Sequence, residues 1–239
     1  MMSRYFILND KKSSDFNVAL PKEFSFESSS PTVDFIKIPG LDGELAVNNK
    51  SLSNVKRKLT CGVINRNKES YHSIHEKLSD WLSIDGWTDF FYSDDELYTY
   101  KVLISDSFNL ERIQKNFLKL EIELTFKPVK YLKSELNPKI ITSGTIIKNT
   151  KNLDAKPLIE IEGQGDVTLT INNQKITVKS LDKHIALDCQ SQTARQGSQN
   201  VSKKVYANSY PVLKKGENKI SWTGNVTKCT VTTRLGARI

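Results

Sequence analysis

Residues 117–127 read FLKLEIELTFK, and this stretch decides the fold of the first half of the chain. Apolar residues at 118, 120, 122, 124 and 126 alternate there with Lys, Glu and Thr. A period of two places all five on one face of a β-strand, whereas a helix would scatter them around its surface. The stretch therefore predicts a strand with one buried face.

Further strands are expected around this one. Residues 33–38, 58–64, 90–92 and 97–104 are rich in β-branched and aromatic residues and are bounded by Gly, Pro, Asn, Asp or Ser. Residues 94–96, Asp-Asp-Glu, lie between two of these strands and favour a turn. A calcium-binding loop is disfavoured, because an EF-hand spreads its ligands over about twelve residues, whereas these three acidic residues are consecutive.

One segment has the spacing of an amphipathic helix. Its apolar residues recur at i, i+3, i+7, i+10 and i+11 and so share one side; they are Tyr71, Ile74, Leu78, Trp81 and Leu82. We expect Asn67 or Ser70 to cap its start and Gly86 to end it. His72 and Glu76 project from the other side, which favours exposure to solvent over metal binding.

The second half shows short strands and no helical period. The predicted strands cover residues 139–148, 157–162, 167–171, 175–178, 185–188, 218–222 and 226–235. Asn172 and Asn173 favour a hairpin turn, since Asn tolerates a positive φ. Residues 163–166, GQGD, are interpreted as a turn, because no helix follows them to hold a phosphate. Such a series is typical of an antiparallel β-sandwich. With residues 136–138 as linker, the predicted domains are 1–135 and 136–239.

The charge is unevenly distributed. The 239 residues carry a net charge of +8, but residues 1–130 hold 18 Lys and Arg against 19 Asp and Glu, while the remainder holds 17 against 8. No run approaches the ~20 apolar residues of a membrane helix, and the first twelve residues lack a secretory apolar region. We therefore expect neither membrane insertion nor secretion. The three cysteines are widely spaced and predict neither disulfides nor a zinc ribbon.

Residues 190–217 are poor in large aliphatic residues and basic, with five Lys and Arg against one Glu. We interpret them as a long loop, which inside a compact domain is usually either functional or mobile. The candidate contacts to a partner or glycan in this stretch are Tyr206, Tyr210, Lys203 and Lys204. A stacking platform for single-stranded nucleic acid would need an OB or RRM pattern around it, which is absent. No nucleic-acid partner is therefore expected.

Motifs for catalysis are missing from the sequence. No G-x-S-x-G is present, and His184 and Cys189 would point to opposite faces of a strand. Paired carboxylates of a glycosidase stay open as an alternative, but no pair stands out. We predict no enzyme activity, no cofactor, no metal and no catalytic residue.

The order of these elements resembles phage distal tail proteins, the baseplate hub components of long-tailed phages. The first-domain likeness runs through residues 38–45 (IPGLDGEL), 90–95 (FFYSDD), 98–102 (YTYKV) and 126–131 (FKPVKY). In the second half, residues 157–167 (PLIEIEGQGDV), 185–188 (IALD) and 210–220 (YPVLKKGENKI) look like the galectin-like β-sandwich of that family. The resemblance covers nearly the whole chain.

The resemblance implies a structural protein of the virion tail tip, made in the host cytoplasm. Six copies would form a ring through the N-terminal domains, which would meet the tail tube protein on one side and a tail-associated lysin or fibre protein on the other. The sandwiches would be outward attachment points, also for a receptor-binding protein. The implied fold is mainly β: a sandwich-like N-terminal domain with one α-helix, then a galectin-like antiparallel β-sandwich.

An alternative function is adhesion, in which the second domain recognises host cell-wall glycan. Sugar sites stack a pyranose on an exposed aromatic side chain beside polar groups. Tyr206 or Tyr210 together with Trp222 could form one. Trp222 follows Ile220 in the strand alternation, which favours a place in the core for Trp222.

Overall fold

The structure is a computed structural model that describes residues 4–20 and 27–239. The chain divides into two compact units, Met1–Lys130 with Arg238–Ile239, and Tyr131–Ala237. The domain limits 1–135 and 136–239 stay a prediction. In the part that the structure describes, no helix is both long and apolar enough to cross a membrane.

The first unit is a mainly antiparallel β-structure with a helix. Its elements are β1 (Phe6–Leu8), β2 (Lys11–Lys12), a 3-10 helix (Ser13–Phe16), β3 (Val18–Ala19), β4 (Pro31–Ile36), β5 (Leu45–Leu52), β6 (Val55–Ile64), α1 (Tyr71–Leu82), β7 (Thr88–Tyr92), β8 (Tyr98–Ile104), β9 (Asn109–Gln114) and β10 (Phe117–Phe126). The main sheet has the order β2-β1-β7-β8-β10-β6-β3, with β9 also paired to β10. The strands β4 and β5 form a separate hairpin.

Strand β10 is the centre of this unit, as its alternation predicts. It pairs with β6 along its whole length, while β8 and β9 share its other edge. The alternating apolar side chains are all fully buried: Leu118, Leu120, Ile122, Leu124 and Phe126. The prediction of a one-sided buried strand is confirmed.

The predicted helix is also confirmed. Ser70 caps α1, since its Oγ accepts a hydrogen bond from the backbone N–H of Ser73 at 3.2 Å. Trp81 is fully buried, donates from Nε1 to the carbonyl oxygen of Leu8 at 3.1 Å and stacks on Phe16 with a ring-centroid distance of 4.3 Å. The helix ends at Leu82, before the Gly86 that was expected to end it. His72 and Glu76 are exposed, as expected.

The sequence did not indicate β1, β2, β3, β5 and β9. These strands are short or polar, so their pairing depends on neighbouring strands rather than on a pattern of their own. The acidic residues between β7 and β8 do form a turn. Asp94 accepts a hydrogen bond from Arg4 Nε at 2.7 Å, and Asp95 accepts one from Lys130 Nζ at 2.6 Å. Each of these two carboxylates therefore has a basic side chain as its partner.

The second unit consists of β-strands and short 3-10 helices. β11 (Val129–Leu132) begins in the first unit and ends in the second, and β20 (Gly236–Arg238) begins in the second unit and ends in the first. Between them lie a 3-10 helix (Lys133–Glu135), β12 (Lys139–Ile141), β13 (Ile146–Asn149), β14 (Leu158–Ile171), β15 (Gln174–Asp188), β16 (Thr193–Gln196), β17 (Gln199–Asn200), a 3-10 helix (Ser202–Lys204), β18 (Val205–Tyr206) and β19 (Gly216–Thr232). The sheet order is β12-β19-β14-β15-β16-β17, with β13 on β19 and β18 on β15. The mainly β fold class is confirmed.

Three long strands form the body of this unit. β14, β15 and β19 are antiparallel neighbours that curl around a common core, and their alternate apolar residues fill it. The hairpin between β14 and β15 turns at Asn172, whose φ of +52° confirms the predicted turn. Trp222 packs partly buried against the core.

Several predicted strand limits in this half are wrong. Residues 163–166 are not a turn but a bulged part of β14, so the predicted strands 157–162 and 167–171 are one. A Cβ on Gly163 would lie 2.1 Å from the carbonyl oxygen of Asn225, so glycine is needed for the close approach to β19. Strands 175–178 and 185–188 are likewise one, β15, as are 218–222 and most of 226–235 in β19. Conversely, the predicted strand 139–148 is two, separated by a turn with Gly144 at φ +94°.

The stretch 190–217 is not a structureless loop. It contains β16, β17, a 3-10 helix and β18, which pair with β15 or with one another. Polar residues dominate these strands, and this is why no strand period is visible in the sequence. The consequence for function is that the backbone of β16, β17 and β18 is held by sheet pairing.

Candidate functional site

The four candidate contact residues lie in the last part of that stretch. Lys203 and Lys204 belong to the 3-10 helix, and Lys204 Nζ lies 3.5 Å from the carbonyl oxygen of Ser180. Tyr206, in β18, is 60% exposed. Tyr210 instead packs partly buried against the core, and burial raises its pKa. Their contact role stays a prediction, and only Tyr206 among the two tyrosines presents its ring to solvent.

Tyr206 begins a row of side chains that crosses four strands. It lies opposite Thr177 of β15, which lies opposite Thr168 of β14, which in turn lies opposite Thr223 of β19. Directly opposite residues in antiparallel strands share a face, with Cβ atoms about 5 Å apart. The row therefore joins one exposed aromatic ring to three hydroxyl groups on the outer face.

A second row runs beside the first. Lys175 lies opposite Thr170, which lies opposite Ser221. Lys175 is exposed and has no ion pair among the residues that the structure describes. At the far side of the first row, Lys179 Nζ lies 2.6 Å from Asp166 Oδ2, and this hydrogen bond with its ion pair raises the pKa of Lys179.

The hydroxyl groups of the rows retain hydrogen-bonding capacity. Thr168 Oγ1 and Thr177 Oγ1 are 3.0 Å apart, so one of the two hydroxyl groups donates a hydrogen bond to the other. A hydroxyl has one donor and two acceptor positions, so further donor and acceptor positions remain open on this face. Next to the rows, an open groove of 760 Å³ is lined by residues 173–175, 177 and 205–209. We call the two rows and this groove the Tyr206 face.

No pattern in the sequence singles out the threonines or Lys175. Thr168 and Thr170 alternate there with apolar residues, which predicts a strand of a hairpin. Which strands would lie beside it was not visible, because β18 had no strand pattern. The alignment of Tyr206 with the threonine row is therefore a finding of the structure.

Candidate groups for catalysis are separated or buried. All three cysteines are buried and unpaired, and burial raises the pKa of each thiol to about 12. A protonated thiol is a poor nucleophile. His184 is half-exposed, with Nε2 3.7 Å from Glu160 Oε1. Within the described ranges, no group of three His, Cys, Asp or Glu residues is placed to hold a metal ion.

The hairpin of β4 and β5 is the second candidate surface. Over the described residues, its strands pair only with each other. It exposes an unusual set of large apolar side chains, Phe35, Ile36, Ile38, Leu41, Leu45 and Val47. Phe35 is 65% exposed. Ile36 lies opposite Leu45 and shares its face with Val47, whereas Phe35 lies on the other face of the hairpin, opposite Ala46. Exposed apolar side chains grouped in this way mark an interaction site.

The base of this hairpin is firmly held within the first unit. Ser30 and Ser53 join its two strands, since the backbone N–H of Ser53 donates to the carbonyl oxygen of Ser30 at 2.9 Å. The backbone N–H of Ser29 donates to the carbonyl oxygen of Ile239 at 2.9 Å, and Arg238 Nε donates to Ser29 Oγ at 3.2 Å. The apolar hairpin is thus presented from a fixed base.

Known proteins resemble the chain at two levels. Residues 11–126 match the family described as phage tail protein RIFT-related domain. Among solved structures, the crystal structure of SPP1 Dit (gp 19.1), described as a paradigm of the hub adsorption apparatus in phages that infect Gram-positive bacteria, is similar. Its TM-score is 0.72 at 15% identity, over 95% of this chain and 97% of that chain. No curated protein matches the chain in sequence at a significant level.

These two findings agree with the order of elements read from the sequence. The family match lies in the unit built around β10, and the structural similarity extends through the second unit. The chain therefore carries a phage tail RIFT-related domain in residues 11–126 and has the fold of SPP1 Dit over nearly its whole length.

Proposed function

We propose that this protein is the distal tail hub of a siphophage virion: six copies form a ring through their first units, and the ring joins the tail tube to the baseplate. On this proposal the ring contacts the tail tube protein on one side and a tail-associated lysin or fibre protein on the other. The second units supply attachment points, including one for a receptor-binding protein. The role is structural and needs no catalytic group.

The single observation that carries the proposal is the apolar hairpin of β4 and β5. Phe35 is 65% exposed, which leaves on the order of 130 Å² of its surface to bury and about 3 kcal/mol to gain per contact. Ring symmetry repeats such a contact at every subunit boundary. A head-to-tail contact that closes by rotation also consumes exposed strand edges.

The charge of the first half supports the same arrangement. Residues 1–130 carry 18 Lys and Arg against 19 Asp and Glu, so neighbouring first units meet without strong repulsion. The positive excess belongs to residues 131–239, with 17 against 8. A ring built through the second units would bring these excess charges together.

The test compares two aspartate substitutions in the full-length protein by native mass spectrometry, alone and with the tail tube protein. Phe35→Asp places a charge on the hairpin. Ile140→Asp is the matched control, because Ile140 is 72% exposed and lies in the second unit. We expect hexamers for the wild type and for the control, and monomers for Phe35→Asp.

Two results would count against the proposal. A wild-type protein that stays monomeric even with tail tube protein would remove the ring. Hexamers of Phe35→Asp as stable as those of the wild type would contradict a subunit contact through the Phe35 face of the hairpin. Negative-stain images of a six-lobed particle would support the assembly independently.

A further inference from the structure

We propose that the Tyr206 face binds an anionic saccharide chain. The inference does not depend on ring formation, because every residue of this face lies in the second unit. It rests on the alignment of an exposed ring, a strip of hydroxyl groups and unpaired lysine charge on one side of the sheet.

The aromatic ring supplies the first half of a saccharide site. Tyr206 is held in a strand, since β18 pairs with β15 at Thr177 and Val178. A ring fixed by sheet pairing costs little conformational entropy on binding, and it presents a flat apolar face to the C–H groups of a pyranose. Gln174 fixes the chain further on, because its Oε1 accepts from the backbone N–H of Val212 at 3.0 Å.

The hydroxyl rows supply the second half. Thr177, Thr168 and Thr223 continue from the ring in a line across three strands, and each offers its oxygen on the outer face. Sugar hydroxyls are both donors and acceptors, so they match the open positions of threonine hydroxyls. The spacing of adjacent strands is about 4.8 Å, which is close to the repeat of one sugar ring.

The composition of the face argues against a protein partner. The buried centre of a protein interface is apolar and aromatic, whereas here Tyr206 is the sole large aromatic in either row. A polar strip with one ring fits a thin, hydrated polymer better than a broad protein surface. Threonine is common on the outer faces of strands. The Tyr206 face differs from an ordinary threonine-rich face because it also has an exposed aromatic ring and an adjoining groove of 760 Å³.

The charge around the face selects an anionic ligand. Lys175 ends the second row, is exposed and has no ion pair in the described part of the chain. Lys179 is neutralised by Asp166, so the surplus at the face is positive. Such a surplus attracts carboxylate-bearing or phosphate-bearing saccharides in a salt-dependent manner.

The test uses chemical-shift changes in the ¹⁵N-labelled full-length protein. The probe is a hyaluronan hexasaccharide, which alternates a uronate with N-acetylglucosamine, and the uncharged comparison is chitohexaose. We expect shifts centred on residues 168, 175, 177 and 206 with the anionic probe, weaker binding of the neutral one, and loss of affinity at high salt.

Substitutions identify the groups responsible. Tyr206→Ala is expected to weaken binding by about ten-fold, while Tyr206→Phe keeps it, because the ring rather than the hydroxyl makes the contact. Lys175→Gln should weaken binding and reduce its salt dependence. Trp87→Ala is the matched control, since Trp87 is an exposed aromatic of the first unit; its affinity should equal that of the wild type.

Three outcomes would overturn the proposal. The first is the absence of shifts at these residues with the anionic probe. The second is undiminished affinity of Tyr206→Ala, which would place the sugar elsewhere. The third is equal binding of chitohexaose, which would overturn the assignment of an anionic ligand. A failure here leaves the ring test with Phe35→Asp unaffected, so the two proposals are distinguishable.

Discussion

Asn218 is the buried amide on which the loop before β19 depends, and replacing it tests how that loop is built. The residue is 0% exposed. Its Nδ2 donates to the carbonyl oxygens of Lys214 at 2.8 Å, Gly216 at 3.0 Å and Ile147 at 3.3 Å. Its Oδ1 accepts from the backbone N–H of Lys214 at 2.9 Å and from Nδ2 of Asn172 at 3.0 Å. One side chain thus satisfies groups from three segments.

Removing this amide leaves several part-buried polar groups without this partner. In Asn218→Ala, the N–H of Lys214 and at least two carbonyl oxygens lose their hydrogen bonds. At roughly 1 kcal/mol or more for each group, the free energy of unfolding of the second unit should fall by about 3–5 kcal/mol. For a unit of this size, that corresponds to a drop in Tm of about 15 °C.

Urea unfolding read by hydrogen exchange and mass spectrometry measures this effect in the second unit alone, through peptides from β14, β15 and β19. Asn208→Ala is the control, because Asn208 is an exposed amide of the same region and should cost less than about 0.5 kcal/mol. A loss below about 1 kcal/mol for Asn218→Ala would refute the reasoning, since it would mean that water replaces the amide.

Two further substitutions test the second unit, and one thiol reaction tests the buried cysteines of both units. Gly163→Ala should cost more than about 2 kcal/mol in urea unfolding, because its Cβ would lie 2.1 Å from the Asn225 carbonyl oxygen. Burial by itself would raise the pKa of Asp188, but hydrogen bonds led by Arg234 Nη1 at 2.7 Å outweigh it and lower the pKa. Arg234→Gln should therefore be less stable than the wild type above the unfolded pKa of about 3.9, with the difference vanishing as the pH falls through the lower folded pKa. The three buried cysteines should not react with a thiol reagent at pH 8 until urea unfolds the protein.

The elements that the sequence predicts well are those whose own residues carry the period. β10 needs only its alternating side chains, and α1 needs only its apolar side and the cap at Ser70. β14 was split wrongly because Gly163 and Gly165 favour a turn by residue type. In the folded chain the same glycines permit a bulge and a close approach to β19, an outcome that depends on a strand 60 residues away in sequence.

The two candidate surfaces show what periodicity leaves undetermined. Phe35 and Phe126 both occur in predicted strands, yet Phe126 is fully buried and Phe35 is exposed, because a pattern does not tell a core position from an exposed apolar one. Tyr206 and Tyr210 lie four residues apart in one basic stretch, and the sequence gives no reason to separate them. Pairing of β18 with β15 turns Tyr206 toward the threonine row, while Tyr210 packs against the core. A site for a ligand and a site for packing can therefore share one sequence signature, and strand pairing decides between them.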